Sequence, residues 1–237
     1  MGPNGSIRVN NPTELFEFLR QNPQFVTGII FILMQDQIPL YAIQPVGPFA
    51  PQIYTAMLEA AEASLDEIHN REQRVSIPGL IGGSTRLFNG MTVPVIYPDL
   101  RGMYRWQSRE LIAAAKAAVG KDVASDDDLF NFLNRVYYEL RNFGVAPQDR
   151  ALNFAATNAY QAQHAFAESA GRKLALDTIS VVKSPICRPD SDCWDVQLQM
   201  FDPENERRAS RVYRYTVDVS EVLPVTVGSV RNWAVRT

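Results

Sequence analysis

The sequence is poor in the residues that most catalytic and metal sites use. Its 237 residues include two cysteines and two histidines, His69 and His164. Two cysteines are too few for the disulfide framework of a small secreted domain. Histidine is the most frequent general acid or base in enzymes, so its scarcity limits histidine-based catalysis. We expect both histidines to be surface or packing residues, since each lies in a predicted helix.

Signals of other protein classes are also missing. The net charge is −3, from 23 basic and 26 acidic residues, whereas a dedicated nucleic-acid-binding protein usually carries a strong basic excess. No apolar run approaches the roughly 18 residues that cross a bilayer, and no signal peptide opens the sequence. We therefore expect a cytoplasmic protein that binds neither nucleic acid nor membrane.

The sequence also lacks the short motifs of common active sites. The nucleophile elbow G-x-S-x-G and the phosphate-binding patterns G-x-G-x-x-G and G-x-x-x-x-G-K-[ST] do not occur. Gly82 and Gly83 fall between predicted strands, where glycine marks a bend or a bulge. These absences predict that this chain is not an enzyme, has no catalytic residue and requires no cofactor.

What is present is a composition that can form a core. Hydrophobic residues make up 46% of the chain and aromatic residues 10%, which predicts a folded protein and not a disordered one. The polar, turn-rich start, residues 1–6 (MGPNGS), is expected to be a linker or a cloning scar. We expect residues 7–237 to form a single domain.

The first half of the chain alternates helix and strand signals. Asn11 followed by Pro12 is typical of a helix start, and this helix should end before Pro23. The apolar run Phe25–Met34 predicts a strand buried on both faces, in a hairpin with Ile38–Ile43. Prolines in the strands that follow favour sheet edges or bulges. The elements predicted after the hairpin are a helix over 53–68 and strands at Arg74–Ile81, Thr85–Phe88 and Met91–Tyr97, the last two joined in a hairpin by Asn89-Gly90.

The second half predicts helices and then strands. Ser108 and Ser125 should cap two helices, the second ending at Gly144, and Pro147 opens another that continues to about Ala170. Alternating strands are predicted at Thr178–Ser184, Trp194–Met200 and Tyr213–Val219. The predicted fold class is α+β: antiparallel β-hairpins followed by two long helices and a three-stranded antiparallel meander that packs on them.

Two arginine-rich segments are candidates for surface contacts. The first is predicted to be a loop and holds Arg101, Tyr104, Arg105 and Trp106. Arginine and aromatic residues are enriched in binding hot spots, but they also anchor loops by stacking on a core. The second segment, which holds Arg207, Arg208, Arg211 and Arg214, predicts a basic, solvated strand edge.

The segment Cys187–Cys193 (CRPDSDC) holds the side chains of this sequence that are best suited to react or to bind a metal. It joins two strands of the predicted meander, which brings the two thiols close together. Three states are open: a local disulfide, a structural zinc site that needs two more ligands, or a pair of reduced thiols. The spacing is wider than in usual zinc motifs, so a zinc site would require a dimer that supplies four thiolates. A reducing cytoplasm disfavours the disulfide.

Several stretches resemble the C-terminal domain shared by the cyanobactin-maturation proteins PatA and PatG. Together they extend over nearly the whole chain, from about Pro12 to Trp233, and we expect the PatG copy. The stretches are Pro39–Phe49, Arg86–Trp106, Val136–Ala156, Ser184–Val196 and Pro203–Arg214.

The resemblance implies a multi-domain parent protein in which this C-terminal accessory domain has no established activity. It implies a subtilisin-like serine protease domain elsewhere in the parent. In PatA that protease trims the N-terminal side of precursor core peptides. In PatG it cuts the C-terminal side and closes the macrocycle, and PatG also carries an azoline oxidase domain. None of the protease residues matches a motif of this chain.

From the resemblance we expect a non-catalytic domain for assembly, dimerisation or recognition in patellamide-type biosynthesis. Its expected partners are a second copy of itself, precursor peptide and other enzymes of the pathway. The alternative is a metal-dependent or thiol-dependent activity centred on Cys187 and Cys193, with structural zinc as its metal.

Overall fold

The computed structural model describes residues 11–35, 37–63, 73–119, 126–157, 174–205 and 208–235. The chain divides into two compact units, residues 1–106 and 107–237, called here the N-terminal and C-terminal units. The expected single domain over 7–237 stays a prediction, and residues 1–6 lie outside the described residues. Among the helices that the structure describes, none has the length and apolar character needed to cross a membrane.

The N-terminal unit begins with the helix that the sequence predicts, α1 (Pro12–Gln21). The Asn11 side chain accepts hydrogen bonds from the backbone N–H groups of Thr13 and Glu14, which satisfies donors that have no partner within the helix. The elements after α1 are a 3₁₀ helix (Pro23–Gly28), β1 (Phe31–Gln35), β2 (Ile38–Ile43), α2 (Ala50–Ala63), β3 (Gln73–Ser76), β4 (Gly79–Arg86), β5 (Thr92–Pro98), a second 3₁₀ turn (Leu100–Gly102) and β6 (Tyr104–Gln107).

Four of these strands form one sheet in the order β1-β2-β5-β4. The predicted hairpins are present, because β1 pairs with β2 and β4 pairs with β5, both antiparallel. The pair that joins the two hairpins, β2 and β5, is parallel, which the sequence did not predict. The parallel pairing is possible because a long connection that contains α2 separates the two strands along the chain.

The prediction for Phe25–Met34 is wrong in two respects. Its first part belongs to the 3₁₀ helix, which opens at Pro23, where the proline ring fixes φ at a helical value. Its second part, β1, lies at the edge of the sheet, with Ile32 and Met34 exposed. The central positions belong to β2 and β5, whose parallel pairing the local pattern does not reveal.

The sheet of this unit is buried on both faces at its centre. One face carries Ile43, which packs with Ile53 and Met57 of α2. The other face carries Ala42 and Val95, which are cross-strand neighbours and are 1% and 3% exposed. The centre of the sheet is therefore closed to solvent on both faces, while its edge strand β1 is half exposed.

The C-terminal unit contains helices followed by a sheet, which confirms the α+β class. Its elements are α3 (Ser108–Val119), α4 (Asp126–Glu139), α5 (Pro147–Thr157), β7 (Ala175–Lys183), β8 (Cys193–Phe201), β9 (Ser210–Asp218), β10 (Val225–Thr226) and β11 (Arg231–Val235). Helix α4 ends earlier than the predicted Gly144, because the chain turns at residues 140–142. The predicted continuation of α5 to Ala170 lies outside the described residues.

The predicted meander is present as the antiparallel strands β7, β8 and β9. The sheet has five strands and not three, because β10 and β11 both pair with the free side of β9. Strands β10 and β11 have two and five residues, which is too short for a clear period-two pattern. One face of the sheet packs on α4 and α5, through Val136 and Ala151 against Val196 and Tyr213, as the sequence predicts.

Candidate functional site

The predicted arginine and aromatic loop has regular structure. Arg101 lies in the second 3₁₀ turn, whereas Tyr104, Arg105 and Trp106 belong to β6, which pairs with β3. The loop prediction for this segment is therefore wrong. The residues are regular because the chain returns after the turn and pairs with β3, a contact distant in sequence that local composition does not indicate.

Both arginines of this segment have acidic partners within the N-terminal unit. The Arg101 guanidinium donates to the Asp99 carboxylate, with Nη2–Oδ2 at 2.6 Å, and this bond lowers the pKa of Asp99. Arg105 donates to the backbone carbonyl of Glu59 at 3.0 Å, and its Nη2 lies 3.5 Å from the Glu59 carboxylate. The binding role of Arg101, Tyr104, Arg105 and Trp106 stays a prediction.

Cys187 and Cys193 form a disulfide, with their Cα atoms 5.6 Å apart. Of the three states that the sequence left open, the structure has the disulfide. Cys193 is 1% exposed at the start of β8, whereas Cys187 lies in an exposed loop. Within the described ranges no group of three or more His, Cys, Asp or Glu side chains is arranged to hold a metal ion. A zinc site on these sulfurs requires reduced thiols and stays a prediction for that state.

The carboxylates near the disulfide have structural partners. Asp192 accepts a hydrogen bond from the Trp194 indole N–H at 2.8 Å and pairs with Lys183, whose ammonium lies 5.2 Å from the centre of the Trp194 ring. The backbone N–H of Asp192 donates to the Ser220 hydroxyl at 2.8 Å. These contacts hold the loop between β7 and β8 in place, which gives Asp192 a structural role.

The edge strand β1 has the most unusual exposed surface of the N-terminal unit. Its five residues, FILMQ, carry no charge, and Ile32 and Met34 on one face are 37% and 54% exposed. Natural edge strands are usually protected by charges, prolines or bulges. Both edges of this sheet have a register shift, in β1 between Leu33 and Met34 and in β4 between Ile81 and Ser84. β4 also carries Arg86, whereas β1 carries neither a charge nor a proline, so β1 is the less protected edge among the described strands.

A second unusual cluster lies on the C-terminal sheet, on the face opposite α4 and α5. Asp195 is 2% exposed and accepts a hydrogen bond from the Thr216 hydroxyl at 2.7 Å. Arg214 Nη1 lies 3.5 Å from the other Asp195 oxygen, and the guanidinium carbon lies 5.8 Å from the centre of the Trp233 ring. Arg231 of β11 lies directly opposite Arg214 in the strand register.

Sequence reasoning did not find this cluster. The predicted solvated edge is wrong for Arg214, whose side chain is 18% exposed because β11 covers that side of β9. Arg208 pairs with Asp202 at 2.9 Å, and Arg211 donates to the Asn232 side chain at 2.6 Å. Arg207 lies outside the described residues, as do His69 and His164. The alternation of Arg231 and Trp233 near the end of the chain was the only sequence signal for strand β11. This signal is weak because the strand has only five residues.

Comparison with known proteins gives a consistent result. Two family models match the chain: one described as PatG C-terminal matches residues 120–233, and one described as PatG Domain matches residues 1–83. A solved structure of a PatG domain of unknown function is 40% identical, with a TM-score of 0.88, and the match covers 96% of this chain and 89% of that chain. The chain belongs to the PatG domain family. No curated protein matches.

Membership of the PatG domain family confirms the resemblance stated from the sequence. The matches cover both units of the chain, residues 1–83 in one model and 120–233 in the other. They do not distinguish a PatA copy from a PatG copy, so our preference for the PatG copy stays a prediction. The solved relative is described as a domain of unknown function.

Proposed function

We propose that this chain is a non-catalytic binding domain of a larger cyanobactin-maturation protein, and that it holds an extended peptide segment along β1. One observation carries the proposal: β1 (Phe31–Gln35) is an uncharged, half-exposed strand at a sheet edge. A free edge offers unpaired backbone N–H and C=O groups to an extended chain, which adds to the sheet as a further strand.

The occupant that suits this edge is an uncharged, apolar segment. Side chains of an added strand would lie beside Ile32 and Met34, the exposed apolar residues of β1. A charged side chain there would lose hydration without gaining a partner, since β1 supplies no charge. Main-chain hydrogen bonds would supply affinity, and the apolar neighbours would supply selectivity.

The family suggests where such a segment comes from. The resemblance implies a parent with a subtilisin-like protease and macrocyclase, and in PatG an oxidase domain, all of which act on peptides. A segment of precursor peptide and a segment of a partner enzyme present the same backbone chemistry to β1. We place the precursor peptide first, because the domain would then keep the substrate close to the catalytic domains of the parent.

The test compares two lysine substitutions that remove exposed apolar residues from opposite edges of the same sheet. Ile32→Lys introduces a charge on β1, and Leu80→Lys does the same on β4, where Leu80 is 61% exposed. Fluorescently labelled precursor peptide is titrated with each full-length chain. We expect Ile32→Lys to weaken binding at least tenfold and Leu80→Lys to change it less than twofold.

Two results would contradict this function. One is no measurable binding of precursor peptide or of partner-enzyme segments by the unchanged chain. The other is an equal loss of affinity in both variants, which would show that peptide binding does not depend specifically on β1. Light scattering on the same samples measures the homodimer that the sequence predicts. A dimer that Ile32→Lys converts to a monomer would assign the β1 edge to a second copy and not to a peptide.

A further inference from the structure

We propose that Arg214 and Arg231, beside Trp233, form a carboxylate-binding site on the face of the C-terminal sheet opposite α4 and α5. These residues lie on adjacent strands of the C-terminal unit, β9 and β11. The site is independent of the β1 edge, which belongs to the N-terminal unit, so either proposal can fail while the other stands.

Two like charges lie side by side on this face of the sheet. Arg231 and Arg214 are direct cross-strand partners in the register of β11 and β9. Directly opposite residues of an antiparallel pair point to the same face, with their Cβ atoms about 5 Å apart, and like charges in that position destabilise a sheet. An anion between or above the two guanidinium groups would relieve this repulsion.

The described residues around Arg214 carry more positive than negative charge. Asp195 is the only acidic side chain beside Arg214 among the described strands, and its two oxygens are already used by the Thr216 hydroxyl and by Arg214 Nη1. The next carboxylate on the same face of β9, Asp218, lies four residues away and accepts hydrogen bonds from Ser220. Two arginines against one carboxylate leave one net positive charge.

Both arginines have hydrogen-bond donors without acceptors among the described residues. Arg214 Nε is buried and has no hydrogen-bond acceptor, although a buried N–H group normally has one. Arg231 is exposed and makes no side-chain ion pair or hydrogen bond among the residues the structure describes. The exposed donors of Arg231 can therefore reach an acceptor group directly, whereas the buried Arg214 Nε gains an acceptor only if that group enters the space beside it.

The geometry selects the class of anion. Asp195 pairs with the Arg214 guanidinium, and Trp233, which is 39% exposed, lies against the same guanidinium. The Arg214 guanidinium is therefore oriented before any ligand arrives. A planar guanidinium matches the two oxygens of a carboxylate. The apolar face of Trp233 would contact the carbon atoms next to that carboxylate. The ligand is therefore an organic carboxylate, at the C-terminus of a peptide or on an acidic side chain.

The test uses the full-length chain and three small probes at one fixed ionic strength. They are an acetylated alanine dipeptide with a free C-terminal carboxylate, the same dipeptide with a C-terminal amide, and acetylglutamate amide. Binding is followed by NMR through the side-chain N–H signals of arginine, in which Arg214 Nε is a direct reporter. Arg231→Ala is compared with Arg188→Ala, which removes an equal charge from an exposed loop.

We expect both carboxylate probes, or only the dipeptide acid, to shift the Arg214 signal, and the amide to leave it unchanged. Binding of the dipeptide acid alone assigns the site to peptide C-termini, and binding of both assigns it to carboxylates generally. Arg231→Ala should weaken this binding about tenfold and Arg188→Ala less than twofold. Equal binding of the amide, equal losses in the two variants, or no shift with either acid would overturn the proposal.

Discussion

At the scale of single residues, the disulfide is the feature whose state the sequence left most open. Cys187 and Cys193 are six positions apart, with their Cα atoms separated by 5.6 Å. The six-residue separation of the two cysteines permits a disulfide but does not require one. The register of β7 with β8, the strands on both sides of the loop, brings the two Cα atoms close enough to form it. Lys183 pairs with Trp194 across β7 and β8, which brings the two ends of the loop together.

The first prediction concerns the stability that this bridge provides. Replacing both cysteines, Cys187→Ser with Cys193→Ala, should lower the free energy of unfolding by about 2 kcal/mol, the loop-closure value for so short a segment. The measurement is urea unfolding of the unchanged chain and the variant, each with and without reductant. Reductant should destabilise only the unchanged chain. Equal sensitivity of both proteins would show that the bridge contributes nothing.

The second prediction concerns Asp202 and pH. Its carboxylate accepts hydrogen bonds from Arg208 at 2.9 Å and from the Glu204 backbone N–H at 3.0 Å, and the bond with Arg208 is the main cause of its lowered pKa. A pKa that is lower in the folded state adds stability above the unfolded value, near about 4. That stability disappears as the pH falls through the lowered value.

Asp202→Asn tests this contribution directly. The variant should be less stable than the unchanged chain at pH 7, and the difference should be smaller at pH 3, because the Asp202 carboxylate is progressively protonated as the pH falls below its unfolded pKa. Denaturant midpoints at the two pH values provide the measurement, with Arg208→Gln as the matched change in the partner. A difference that is the same at both pH values would contradict an ionic origin.

At the scale of elements, local signals predicted what depends on neighbouring residues. The cap of α1 follows from Asn11 and Pro12, and the hairpin between β4 and β5 from Asn89 and Gly90, with Gly90 at a φ of +87°. The meander follows from period-two alternation, which packs one face of each strand on helices. These features were predictable because the residues that cause them are adjacent in the sequence.

The elements that were missed depend on pairing at long range. The parallel pair β2 and β5 and the pair β3 and β6 join strands that are far apart along the chain. The cluster of Arg214 and Asp195 requires both the register of β8 with β9 and the return of β11. No local pattern encodes such a register, so this site could be found only from the fold.

The third prediction concerns the close approach between the start of β4 and the end of β5. Gly79 lies opposite Pro98, and a Cβ atom at this position would collide with the backbone of Tyr97 and Pro98. Gly79→Ala should therefore lower the free energy of unfolding by about 1–3 kcal/mol, as overpacking does. Gly28→Ala is the matched control, because nothing lies within 4 Å of its Cβ position. Thermal unfolding of the two variants distinguishes them, and equal stability would contradict the close approach.

At the scale of the whole molecule, the chain combines two units whose surfaces suit different ligands. The N-terminal unit has an uncharged strand edge, and the C-terminal unit has paired arginines beside a tryptophan. Their proposed ligands are the backbone of an extended peptide and a carboxylate, which are both present in one peptide chain.

The most direct test of the central claim is hydrogen–deuterium exchange of the full-length chain, with and without a saturating amount of precursor peptide. Our account predicts slower exchange of the backbone amides of β1, Phe31–Gln35, since an added strand would accept their free N–H groups. It also predicts that the peptide is recovered intact. Unchanged exchange in β1, protection confined to β4 at the opposite edge, or cleavage of the peptide by the purified chain would contradict the account.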